Sequence, residues 1–436
     1  MTRTAEAAML GGAAVLATLG VAIVTVSGGG SPDAQTALTF LVFTISFGSL
    51  HLALRQWAPN ASPYLLPLSA IITAVGVAEI FRLDPRAATL QRWWLLIAAS
   101  LGVATIVVLS RTGTDLLRRY RYLFLTAAII CFLLPLLPAS WPLGGVEING
   151  SRLWLAFTPF DRTLVQFQPA EFGKILLVAF LASYLASRQA ALSEMTRAIG
   201  RFRLPEPRQL LPVILAWGVS LVVLVYERDL GASALLLAVF VAMLYAGSGR
   251  PAYLVAGGAL FAIGAVAATR IFDHAQTRID VWLDPFGDFA DTGYQISQSL
   301  FALGSGSLSG SGLGLGRPDF IPSATTDFIF AAVAEETGLV GSIGVIAAYA
   351  LLVTIGFGIA LQARDPFRKL LAAGLTATIA LQTILIVAGV TRLLPLTGIT
   401  LPFMSYGGSS LVANVIAIAV LARISHETAV TEGIPM

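Results

Sequence analysis

The sequence predicts an all-α polytopic membrane protein of about twelve transmembrane helices. Three observations carry that expectation. The 436-residue chain is 56% hydrophobic and only 12% charged, whereas a soluble globular protein carries roughly 25% charged residues. Apolar runs of roughly 17–25 residues recur along it, each long enough to cross a hydrocarbon core about 30 Å thick. When the runs are threaded alternately, the arginine-dense loops fall on one side, as they do in membrane proteins whose cytoplasmic loops are basic.

The runs lie at residues 7–27, 36–54, 63–81, 93–110, 122–138, 168–187, 209–226, 230–247, 251–270, 327–361, 368–390 and 404–424. The first exceeds the roughly 7–15 residue core of a signal peptide and is expected to stay in the bilayer. The run starting near Asp327 is too long for one crossing, so it is expected to tilt or to extend beyond the bilayer on the cytoplasmic side. A cytoplasmic N-terminus puts the loops at 111–121 and 188–208 inside, together with the C-terminus. Only the short outer loop with Arg82, Arg86 and Arg92 runs against the rule. Two outer segments are long, 139–167 and 271–326. The second carries Trp282, Phe286, Phe289, Tyr294, Phe301 and Phe320, aromatic enough to pack, and a stretch from Gly304 to Gly316 read as a turn-rich loop.

The formal charge of +3 is small for this length and gives no reason to expect nucleic acid. One cysteine, Cys131, excludes a disulfide within the chain, and His51, His274 and His426 are too scattered for a zinc triad. The glycine stretch follows no predicted strand, so it is not a dinucleotide fingerprint.

Several stretches place polar chemistry at the membrane. In Phe167-Gln168-Pro169-Ala170-Glu171-Phe172-Gly173-Lys174, proline suits a first helical turn, and Glu171 and Lys174 share one face at i, i+3. They are either a structural ion pair or a charged element of a polar cavity. In Thr325-Thr326-Asp327-Phe328, Asp327 is either a helix cap or a general base at the membrane boundary. Glu335 and Glu336 follow on the same helix, where polar glue between helices is the simplest role. Arg278 could hold a phosphate through a bidentate fork or pair with Asp280, Asp284, Asp288 or Asp291, and Arg152 presents a similar choice. The prolines and glycines of Leu394-Pro395 through Leu401-Pro402 to Ser405-Tyr406-Gly407-Gly408 imply a broken, re-entrant segment, tolerated only where protein covers it or a cavity lies beside it.

Taken together, these stretches resemble the SEDS family (shape, elongation, division and sporulation; RodA, FtsW and SpoVE). The resemblance rests on Asn149-Gly150-Ser151-Arg152-Leu153-Trp154, Phe167 to Glu171 with Lys174, and Asp229-Leu230-Gly231. It continues with Gly293-Tyr294-Gln295 and Gln298, Thr326 to Phe330 with Glu335-Glu336-Thr337-Gly338, and Leu394-Pro395 to Ser409. The family core has ten spans. The extra pair here is the first two helices, as in actinobacterial members, so the expected organisation is two additional helices over 1–62, a core over 63–425 and a cytoplasmic tail over 426–436. Thr325 stands where many relatives have histidine, and Ala170 where many have serine.

The resemblance implies a peptidoglycan glycosyltransferase of the bacterial cytoplasmic membrane. It would polymerise lipid II at the outer face into β-1,4 glycan and release undecaprenyl diphosphate. Asp327 matches the essential aspartate and would be the base. Glu171, Lys174, Arg152, Arg278, Gln298 and Ser405 would line the substrate cavity. Expected partners are lipid II, the growing lipid-linked glycan, membrane lipids and a class B penicillin-binding protein. No cofactor is required outright, although the acidic outer loop and the diphosphate leave room for Mg or Mn. The short tail after Arg423 favours the elongation branch (RodA-type) over division. A lipid II flippase would need a site opening to both faces, and a non-catalytic scaffold would tolerate loss of Asp327.

Overall fold

The computed structural model describes residues 3–148, 151–158, 165–189, 197–199, 202–204, 214, 218 and 229–432. Among these, ten helices are long and apolar enough to cross a membrane, which makes this a multi-pass membrane protein. They are α1 (Arg3–Ser27), α2 (Ala34–Trp57), α3 (Leu65–Leu83), α4 (Pro85–Thr112), α7 (Pro169–Ser187), α8 (Leu230–Ser248), α9 (Ala252–Ile271), α12 (Ile329–Gln362), α13 (Pro366–Val390) and α14 (Gly408–Glu432). Shorter helices are α5 (Asp115–Arg119), α6 (Arg121–Leu133), α10 (Asp273–Leu283) and α11 (Tyr294–Gly306). The apolar stretch expected at 122–138 is a helix over Arg121–Leu136. The span expected at 209–226 lies outside the described residues apart from positions 214 and 218.

The chain forms two compact units. The first is Met1–Arg111, Ala267–Ile355 and Gln382–Met436; the second is Thr112–Val266 and Gly356–Leu381. In the first, α1 lies along α3 on a stripe of buried Ala13, Ala14 and Ala17, and Gly20 sits so close to Ala78 that a Cβ would collide. Small residues let two membrane helices approach this far. Arg3 pairs with Glu6 and donates to the carbonyls of Ala58 (2.7 Å) and Ala61 (3.0 Å). Arg423 of α14 donates to Trp57 O at 2.8 Å, and Ser62 N to Ser425 Oγ at 2.8 Å. The start of α1, the α2–α3 turn and the end of α14 therefore meet at one end of this unit. At the other end, Ser27 of α1 abuts Gly314, and Arg82 of α3 donates to Gly316 O at 3.0 Å.

The long run after Asp327 is not one continuous rod. Gly338 breaks α12 with φ 67° and ψ −166°. The first segment, through Thr337, is a half-helix, and Leu339–Gln362 is the stretch long enough to cross. The freed amides of Leu339 and Val340 donate to Ser307 O (2.9 Å) and Leu308 O (3.2 Å), so the glycine-rich loop satisfies the backbone at the break.

Two of the three arginines that opposed the basic-loop rule are engaged within the protein, while Arg86 is exposed. Arg82 pairs with Glu336 at 3.3 Å, and Arg92, only 6% exposed, donates to Gln35 Oε1 (2.6 Å) and Thr89 Oγ1 (2.9 Å). A guanidinium so held is a packing element, and the topological rule concerns free loop charge.

In the second unit α6 packs along α7, with Gly173 against the Phe132 ring, and Gly374 of α13 meets Val178 and Met243. Arg118 lies 3.9 Å from Asp365, and Arg368 Nε donates to Thr114 Oγ1 at 3.1 Å. The long segment before α7 holds an antiparallel sheet in the order β1 (Leu143–Ile148), β2 (Ser151–Phe157), β3 (Val165–Phe167). Leu143 pairs with Phe157 and Leu155 with Phe167. A second hairpin joins β4 (Arg197–Ile199) to β5 (Phe202–Leu204). An all-helical reading misses these strands. The signal was present in Asn149-Gly150, a dipeptide favoured in two-residue hairpins, followed by the run Leu153-Trp154-Leu155-Ala156-Phe157.

Candidate active site

Asp327 stands half-buried in the turn at 322–328 that leads into α12. The turn is built on Ser323, whose φ of 58° is left-handed and whose carbonyl accepts the amides of Thr326 (3.0 Å) and Phe328 (3.4 Å). The non-helical segment after α13, residues 391–407, fastens it from the other side. Tyr406 N donates to Thr325 O at 2.8 Å, and Ser405 Oγ donates to Thr326 O at 2.6 Å while accepting from Leu401 N at 2.8 Å. Ser405 was expected to face substrate. It is 4% exposed and its hydroxyl is used in both directions, so it holds the Asp327 turn instead of presenting an open hydroxyl.

Arg278 projects from α10 to the same segment. Its Nη1 donates to Leu396 O (3.3 Å) and Thr397 O (3.0 Å). Gly398 follows, with φ 70°. A Cβ built there would lie 3.3 Å from Arg278 Nη2 and 3.8 Å from Asp327 Oδ2. A guanidinium nitrogen and a carboxylate oxygen thus converge on the one point that glycine leaves unfilled. Opposite charges arranged this way can receive a hydroxyl at the carboxylate and an anionic group at the arginine.

Three of the four aspartates that competed for Arg278 in sequence have local work. Asp280 Oδ1 accepts from Gln276 Nε2 (2.7 Å), Asp284 Oδ1 from Gly287 N (3.1 Å), and Asp288 Oδ2 from Thr292 Oγ1 (2.7 Å). Asp284 and Asp288 brace turns, and Asp280 braces a turn of α10 through Gln276. No group of three or more His, Cys, Asp or Glu side chains able to hold a metal ion occurs among the described residues.

Behind the turn, the half-helix 329–337 is locked by its two glutamates. Glu335 Oε1 accepts from Arg317 N (2.8 Å), and Glu336 Oε2 from Gly314 N (2.8 Å), while Arg82 reaches Glu336 from α3. The amides of Ser311 and Gly312 donate to the carbonyls of Glu335 and Glu336, each at 3.0 Å. The expected polar glue is thus a clamp between the glycine loop, α3 and the half-helix that follows Asp327. Gln298 is half-buried on α11, and no hydrogen bond among the described residues ties it to Asp327.

The second unit holds the other candidates. Pro169 opens α7, and Lys174 Nζ donates to Glu171 Oε1 at 2.8 Å, with side chains 5% and 8% exposed. The spacing foretold this pair. Arg152 lies on β2, half-buried, with its Nε buried and without a hydrogen-bond partner. Sequence reasoning passed over Gly398, Ser323, Arg392 and Arg82. Gly398 had a signal in Thr397-Gly398, but the left-handed backbone of Ser323 and Arg392 (φ 60°) has none in their residue types.

The sequence profile of the FTSW_RODA_SPOVE family, described as cell cycle protein, matches residues 61–430, a stretch that begins after α1 and α2. The chain is 43% identical over 397 residues to "Peptidoglycan glycosyltransferase RodA" of Mycobacterium tuberculosis, covering 88% of this chain and 82% of that one. It is 40% identical over 436 residues to the protein of the same name from Mycobacterium leprae, covering 97% and 90%. Among solved structures it resembles a chain of a peptidoglycan synthase complex described as coordinating polymerization and crosslinking, with a TM-score of 0.65 and 25% identity over 84% of this chain and 98% of that one.

Proposed function

The chain belongs to the FTSW_RODA_SPOVE family of cell cycle proteins, and we propose that it is a peptidoglycan glycosyltransferase that polymerises lipid II at the outer face of the cytoplasmic membrane. The relatives named as such enzymes, at 40–43% identity, support the general activity. The observation that carries the mechanism is the convergence of Arg278 Nη2 and Asp327 Oδ2 on Gly398.

In this reading the 4-hydroxyl of the acceptor GlcNAc sits against Asp327. The carboxylate takes the hydroxyl proton as the oxygen attacks the anomeric carbon of the lipid-linked MurNAc. The new β-1,4 C–O bond forms as the bond to the diphosphate breaks, with inversion, and undecaprenyl diphosphate leaves with the electron pair. Arg278 offsets the charge gathering on the departing phosphate through its free-facing nitrogen. General-base help contributes about 10²–10⁴-fold. The remainder comes from holding two lipid-anchored sugars in register, which the bilayer and the clamped turn favour. Arg152 and the Glu171–Lys174 pair are further substrate contacts of this reading. A class B penicillin-binding protein is the proposed partner, since the similar synthase complex couples polymerization to crosslinking. An elongation role is favoured by the RodA relatives.

The test is reconstitution of the full chain in vesicles with fluorescent lipid II. Glycan should form with the native protein and fall at least about a hundredfold with Asp327→Asn. Undiminished polymer from the Asp327→Asn protein would refute the base. Lipid II crossing the bilayer without polymer would replace the enzyme by a flippase.

A further inference from the structure

Arg392 stands two residues beyond the end of α13 with φ 60°, in the left-handed region that favours glycine. A long side chain persists in such a conformation when its surroundings over-determine it, and such positions cluster where geometry matters for function. The surroundings here are specific. Arg392 Nε donates to Trp282 O at 2.8 Å and Nη2 to Leu283 O at 2.6 Å. These are carbonyls of the last turn of α10, which the helix itself leaves unsatisfied and where a cation is favoured. Trp282 returns the contact, donating Nε1–H to Arg392 O at 3.1 Å.

Trp282 and Arg278 are i+4 and i on α10, so they lie on one face of the helix. That face is attached to one stretch of chain at two points, at its C-terminal end through Trp282 and the terminal carbonyls to Arg392, and at mid-helix through Arg278 to Leu396 and Thr397. The stretch continues to Gly398, where Arg278 Nη2 and Asp327 Oδ2 converge. A helix of three turns held to that stretch only through Arg278 itself could roll or slide about its axis and carry Arg278 away from Gly398, and the second attachment at Trp282 and Leu283 opposes that motion.

We propose that Arg392 is a positioning residue for the reaction: its clasp on the end of α10 fixes Arg278 in the place from which one nitrogen faces Asp327. This rests on the polymerase reading. Arg392 itself touches neither Arg278 nor Asp327 in the contacts described, so its effect passes through α10.

The left-handed backbone makes the test discriminating. Arg392→Gly deletes the clasp while relieving the backbone, so a purely local structural role predicts at most a shifted melting temperature with unchanged turnover. The clasp predicts that kcat on fluorescent lipid II falls about tenfold, since misplacement of a reacting group by an ångström costs up to about a hundredfold. In an Arg278→Ala background the same substitution should change kcat less than about twofold, because the group being positioned is already gone. Trp282→Phe, which removes only the returning N–H, should show the same loss of additivity with a smaller effect, and it carries the test if Arg392→Gly does not fold. Native-like turnover in both variants, or a full tenfold loss added on top of Arg278→Ala, overturns the proposal. A native preparation that makes no glycan overturns the polymerase reading instead, which keeps the two failures apart.

Discussion

Arg278 Nη2 and Asp327 Oδ2 approach the same side of Gly398, at 3.3 Å and 3.8 Å from where its Cβ would stand. Neither residue is near the other in sequence. They are brought together because Arg278 is hung on the carbonyls of Leu396 and Thr397, while the Asp327 turn is fastened to Ser405 and Tyr406. One non-helical segment therefore sets both the cation and the carboxylate.

Gly398→Ala should be the most damaging single-carbon change at this site. The methyl enters the space between the charges, and φ 70° penalises any L side chain by about 1–2 kcal/mol. Polymerisation should fall about a hundredfold while the melting temperature drops only modestly. A Gly398→Ala protein with native turnover would show that nothing reactive needs that space.

The clamp on the half-helix should contribute mainly to stability. Glu336→Ala leaves Arg82 without its carboxylate and the Gly314 amide without its acceptor, and removing one partner of a buried pair costs about 3–5 kcal/mol. Glu336→Gln keeps an acceptor for the amide and should lose less. Thermal unfolding in detergent checks the order, which is native above Gln above Ala. Equal melting temperatures for all three would mean that the clamp does not hold the fold.

Gly338→Ala should be poorly tolerated for a different reason. Its φ of 67° and the close approach of the Gly310 amide and Leu308 O leave no place for a methyl. The substitution should favour a continuous helix across the break and pull the glycine loop from its carbonyl contacts. Faster proteolysis within 304–316, measured against the native protein, is the expected readout.

Glu171 and Lys174 permit a separation of structure from function. Each single change, Glu171→Gln or Lys174→Met, breaks an ion pair whose side chains are only 5–8% exposed and should destabilise the protein, whereas the double change should recover part of the stability. If the pair also contacts substrate, the double variant regains its melting temperature and remains poor at making glycan. Recovery of both would reduce the pair to an internal brace.

The sequence by itself determined the class of protein and most of its helices. Hydropathy over roughly twenty residues is a local property that bilayer thickness converts directly into a span, so the edges of α2, α3, α7, α8 and α13 fall within a few residues of the runs read from composition. The Glu171–Lys174 pair was legible for the same reason, because i, i+3 spacing on one helix is local. The tertiary structure alone decided that Ser405 is a fastening, that α12 is broken at Gly338, and that Arg392 and Ser323 hold left-handed backbone. It also decided that Gly398 is where Arg278 meets Asp327. Each of these depends on which carbonyl a distant donor reaches once the chain has folded, and residue type and spacing carry no record of that partner.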